Sequence, residues 1–140
     1  MKILAAIDQS EYAALVLKRA LELAEKDNAK PTALTVSNAA FTNLYLGEVS
    51  GDFLEKIRAG AKDAVANITA QIKAAHKDLE VVVLESPSPA DAIVKYAEKN
   101  GIDLIVIGNK GAGAITRFLI GSVSSQVVTH APCSVLVVKK

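Results

Sequence analysis

The chain has 140 residues, half of them apolar and none tryptophan, a length that suits one domain spanning 1–140 with a core of Ala, Val, Ile and Leu. A formal charge of +1 gives no electrostatic basis for broad nucleic-acid or membrane-surface binding. One cysteine, Cys133, excludes an internal disulfide framework, no apolar run approaches a membrane span, and the opening MKILAAIDQSE turns acidic too early for a secretory leader. The expectation is therefore a cytoplasmic protein.

Strand-like and helix-like patterns then alternate. Lys2 to Asp8 is an apolar run of buried-strand type. Ser10 offers an N-cap, and Ala13, Val16, Leu17, Ala20, Leu21 and Ala24 follow at helical spacing. Pro31 to Val36 reads as a second strand. A longer connection, residues 37–51, has no clear period; Phe41 and Tyr45 in it suit a lid or a surface patch equally. Phe53, Ile57, Ala61, Ala64, Val65, Ile68 and Ile72 predict a long helix with one apolar stripe. Leu79 to Glu85 is a third strand. Ser88-Pro89-Ala90-Asp91 is a strong helix start: a capping serine, proline at the first helical position and an acid in the first turn. Asn100-Gly101 is a glycine stop. Asp103 to Gly108 and Ser134 to Val138 are the fourth and fifth strands.

Alternation of this kind predicts an α/β three-layer open sandwich. A five-stranded parallel sheet of order 3-2-1-4-5 would carry helices on both faces. Ligands of open α/β sheets bind beyond the carboxyl ends of the strands, at the switch point. Here that point is flanked by Asp8 and Gly108.

The stretch GNKGAGAITRFLIGSVSS, residues 108–125, starts at that point. Gly108 lets the chain leave the strand sharply. Gly111 and Gly113 bring bare backbone N–H groups close to an anion. Ile115, Phe118 and Leu119 anchor the loop. Gly121-Ser122 opens a helix with Ser122 as N-cap, whose free N–H groups suit a phosphate. Ser122 and Ser124 add hydroxyls. No Asp or Glu occurs from Leu104 to Lys140, whereas Lys110 and Arg117 fall inside the loop. An acid-free phosphate cradle and a set of plain turn residues are the two readings of that spacing. No Gly-Lys-Ser/Thr follows, and the first strand lacks a glycine fingerprint, which excludes a Walker A loop and a dinucleotide fold.

Three segments together resemble the universal stress protein family: KILAAIDQSEYAALVLKRALELA, SPADAIVKYAEKNGIDLIVIG and GNKGAGAITRFLIGSVSSQVVTHAPCSVLVVK. The family's nucleotide-binding branch carries Gly-x2-Gly-x9-Gly-Ser/Thr, and Gly108, Gly111, Gly121 and Ser122 stand at that spacing. The resemblance implies the same sheet order and a homodimer through the fifth strand, Ser134 to Val138. It also implies ATP or AMP at the switch point. Ala6, Ile7 and Asp8 would line the adenine and ribose end, with Val36 packing on the adenine or bonding it through its backbone. Gly108, Gly111, Gly121, Ser122, Val123 and Ser124 would hold ribose and phosphates. Where many members carry glycine after the third strand, this chain has Pro87, which removes an N–H at that corner.

Asp8 suits either Mg²⁺, through phosphate oxygens or water, or the ribose. His76 reads as solvated, His130 as a cation at a helix C-terminus and Cys133 as a buried inert thiol. The two histidines and the cysteine do not make a metal site. A nucleotide-binding regulatory protein is the leading functional expectation. The alternatives are a slow ATPase or nucleotide transferase, for which no general base is evident, and a nucleotide-free dimeric module.

Overall fold

The computed structural model describes residues 1–8, 10–38, 51–109 and 120–140. The order of elements is β1 (Lys2–Ile7), α1 (Ala13–Lys26), β2 (Lys30–Ser37), α2 (Gly51–Ala75), β3 (Glu80–Glu85), α3 (Pro89–Asn100), β4 (Leu104–Gly108), α4 (Ser122–His130) and β5 (Ser134–Val138). The strands form one parallel sheet of order β3-β2-β1-β4-β5, as the alternation predicts.

Period-two side chains send each strand's residues to two cores. Ile3, Ala5 and Ile7 of β1 join the buried face of α1 (Ala13, Val16, Leu17, Ala20, Ala24) on one side. Leu4 and Ala6 join Ala90, Ile93 and Ala97 of α3 and Val127 of α4 on the other. Burial on both faces explains why β1 is apolar along nearly its whole length. In β5, Leu136 and Val138 lie against the first core, Val135 and Val137 against the second.

The third helix keeps its expected ends. The Ser88 side chain accepts from Asp91 N at 3.3 Å, and Gly101 closes the helix in the left-handed region at φ 64°, ψ 42°. The first helix does not start as expected. Its N-cap is Tyr12, without a side-chain cap bond. Ser10 instead accepts Tyr12 N on its hydroxyl and Ala13 N on its carbonyl, each at 3.2 Å. Asp8 has already claimed Ser10 N, at 2.9 Å, so residues 10–12 turn before the helix begins.

The expected stripe of the second helix is only partly used. Val65 and Ile72 are buried, whereas Phe53 is 51% exposed. This helix packs on β2 and β3, at the outer margin of the sheet, where less apolar surface lies beneath it. The described helices include none long and apolar enough to cross a membrane. Phe41, Tyr45, Lys110, Gly111, Gly113, Ile115, Arg117, Phe118 and Leu119 lie outside the described residues.

Candidate functional site

The carboxyl ends of β1 and β4 lie side by side, with Ala6 opposite Ile107. Ala6 and Ile7 are buried in opposite cores. Asp8, just beyond them, is therefore the first polar side chain at the end of β1. Its carboxylate holds the turn into α1 through Ser10 N. Val36 is half-buried on the α3 and α4 side, one strand away, opposite Leu84 of β3.

Three hydrogen bonds join β4, β5 and the start of α4. Asn109 N donates to Val138 O at 2.8 Å, and Gly121 N donates to Asn109 O at 2.8 Å. The Ser124 hydroxyl donates to Gly108 O at 2.5 Å and is 3% exposed. Ser125 N donates to Gly121 O at 2.9 Å, closing the first helical turn. The N–H groups of Ser122, Val123 and Ser124 precede that bond. They are the donors a helix leaves without an internal acceptor, at the positive end of its dipole. No acid stands in this first turn.

Two expectations change at this point. The N-cap is Gly121, at φ −62°, ψ 157°, and Ser122 is the first helical residue, with no side-chain cap bond. The Asn109 tether draws the chain into the helix one residue earlier than serine preference suggests. A positive φ does not explain Gly108 either; Gly101 is the one described glycine in that region. At Gly108 the constraint is contact. A Cβ there would lie 2.8 Å from Tyr12 Cβ, so the bare backbone lets the turn after β1 pack on the end of β4. Val123 is half-buried against the second core.

Tyr12 and Asn109 are the residues that sequence reasoning passes over. Tyr12 follows no spacing rule, and Asn109 is an unspecified position of the glycine motif; both matter through contacts between distant segments. An ion pair between Lys140 Nζ and Glu11 Oε2 adds a link from the turn after β1 to the tail after β5. Cys133 stands at the other end of the sheet, just before Ser134, which pairs with Leu104. It is half-buried rather than buried. Partial burial, then the Asp103 charge, push its thiol up.

The model of the universal stress protein family matches residues 1–139. A protein named as a universal stress protein in Staphylococcus aureus (strain USA300) is 37% identical over 144 residues, covering 98% of this chain and 82% of that protein. Among solved structures, universal stress protein UspA from Lactobacillus plantarum is similar with a TM-score of 0.80 at 26% identity, covering 99% of this chain and 97% of that one. A universal stress protein solved in complex with cAMP is similar with a TM-score of 0.63 at 27% identity, covering 99% and 96%.

Proposed function

Because this chain belongs to the universal stress protein family, we propose that it is a regulatory protein that binds an adenine nucleotide, ATP or AMP, beyond the carboxyl ends of β1 and β4. The observation that carries this reading is the start of α4. Three backbone donors without helical acceptors open beside the switch point, in a first turn free of acids. A phosphate there accepts their N–H groups and meets the positive dipole end. The similarity to a universal stress protein solved with cAMP supports the ligand class.

In this reading Ser122, Val123 and Ser124 supply backbone N–H groups, Gly121, whose own N–H is held by Asn109 O, keeps the approach to them free of a side chain, and the Ser122 hydroxyl adds a donor. Ser124 contributes mainly by holding α4 on Gly108 through its side chain. Gly108 keeps Tyr12 against the strand end. Lys110, Gly111 and Gly113 complete the phosphate loop. Ala6, Ile7, Asp8 and Val36 form the adenine and ribose end, where Asp8 would hold either the ribose or, through phosphate oxygens or water, a Mg²⁺ that the nucleotide brings. The functional unit is a homodimer. β5 is an edge strand, and its SVLVV sequence carries no charge, so two copies pair without burying an ion.

Calorimetric titration with ATP, AMP and cAMP, with and without Mg²⁺, tests the binding. Gly121→Val abolishes it, because a branched side chain enters the phosphate position. Its φ of −62° is open to valine, so the variant stays folded. Unchanged affinity in a folded Gly121→Val protein moves the phosphates elsewhere. Light scattering at micromolar concentration tests the dimer, and Val137→Pro, which deletes a strand donor, yields a monomer.

A further inference from the structure

A second recognition surface lies at the opposite edge of the sheet. β3 pairs with β2 on one side, and among the described residues no strand lies on the other. A strand in that position presents a row of unpaired N–H and C=O groups. Beside it, between α2 and the α2-facing side of β3, is a cavity of about 470 Å³, within the range of ligand-binding clefts. Val65 lies on its helix side and Val83 on its sheet side. Val83 is 44% exposed although it faces the helix layer, so α2 leaves this part of β3 uncovered.

The polar groups of the cleft tell what would fill it. Glu85, at the end of β3, lines it, and so do Lys62 and Lys73 on the helix, which are exposed and among the described residues in no ion pair. They stand eleven residues apart on one helix, roughly 16 Å along its axis. Thr69 also lines the cleft, and its hydroxyl is buried, with no hydrogen-bond partner among the described residues. The cleft thus combines an apolar middle, two lysines on its helix side, one carboxylate at the strand end and an open strand edge.

We propose that β3 and α2 form a docking groove for an extended peptide of a partner protein, which adds as a sixth strand beside β3. Its alternate side chains enter the cleft: small apolar ones over Val65 and Val83, carboxylates against Lys62 and Lys73. Strand addition takes affinity from main-chain bonds and specificity from alternate side chains. A second copy of this chain is a poorer occupant. Antiparallel pairing of EVVVLE with itself in full register sets Glu80 directly opposite Glu85 twice, and like charges directly opposite are destabilising. The groove is at the opposite edge of the sheet from β5 and requires no bound nucleotide.

The probe is a fluorescein-labelled peptide, Glu-Thr-Val-Thr-Val-Thr-Glu, read by fluorescence anisotropy on the whole chain. Its glutamates and valines share one face when extended. Two derivatives carry N-methyl groups on the valines or on the threonines. Only one of these sets of N–H groups turns toward β3, so one derivative loses at least tenfold in affinity and the other stays within about twofold. The exposed double substitution Lys62→Glu with Lys73→Glu lowers affinity for the parent peptide at least tenfold, and a peptide with lysines in place of its glutamates recovers it. No binding of the parent peptide, or equal behaviour of the two methylated forms, overturns the proposal. So does binding of laurate in place of the peptide, which makes the cleft a small-molecule site. Self-association of the protein that is abolished by Val83→Glu gives the groove to a second copy and likewise overturns it.

Discussion

Helices α1 and α2 both cover the same face of the sheet, yet they are used very differently. The 14 residues of α1 bury Ala13, Val16, Leu17, Ala20 and Ala24, whereas the 25 residues of α2 bury only Val65 and Ile72. The shorter helix lies over the centre, where β1 is flanked by strands on both sides. The longer one lies over the margin. Burial follows what is beneath a helix more than how many apolar residues it carries, since most helical stability in proteins comes from packing. The centre is thus a rigid frame for the switch point, and the margin keeps surface open for a partner.

Core truncation probes this contrast most strongly. Ile105→Ala in β4, at a residue with no exposure, should cost about 2–5 kcal/mol, read as a shifted urea midpoint. Phe53→Ala on α2 should stay within about 1 kcal/mol, because that ring is half outside the protein. Equal losses would mean that α2 is as tightly packed as the centre.

Gly108→Ala sharpens the comparison at the site. The new Cβ meets Tyr12 Cβ at 2.8 Å, an atom that moves only with its backbone. The expected cost is about 1–3 kcal/mol, with weaker nucleotide binding in the same protein. Gly60→Ala on α2 has open space at its Cβ and should be slightly stabilising, by up to roughly 1 kcal/mol. Thermal melts of the two variants should therefore move in opposite directions.

Hydroxyl removals come next. Ser124→Ala deletes the buried donor to Gly108 O and should cost about 1–2 kcal/mol. Ser88→Ala loses a cap bond to Asp91 N, about 1 kcal/mol. Ser122→Ala removes no cap bond and should change stability by under about 0.5 kcal/mol, so any loss of nucleotide affinity reads out ligand contact alone. A denaturant series across the three would break the site description if Ser122→Ala proved the worst.

The smallest effect concerns Cys133. Burial, then Asp103, raise its thiol in the fold, so the native state favours the neutral form. That contribution to stability is complete below the unfolded thiol's pKa and is lost as pH rises through the higher folded value. Alkylation at a fixed, mildly alkaline pH should be slower in the folded protein than in urea. Equal rates would place the thiol in full solvent.

The alternation of strands and helices, the parallel sheet and the two helix ends at Ser88 and Gly101 were legible in the residues themselves, because period, capping chemistry and the left-handed freedom of glycine act over a few neighbours. The glycine motif marked the strand end and the helix start that the fold brings together. Three features had no local signature. Which serine caps a helix depended on the Asn109 tether and on the prior claim of Asp8 on Ser10. The need for glycine at 108 came from Tyr12, almost a hundred residues earlier. The exposure of α2 came from its place at the sheet's margin, which its own apolar stripe, as regular as that of α1, does not encode. Local propensity is written in short segments; contact between distant segments exists only once the chain has folded, and there the tertiary structure decided.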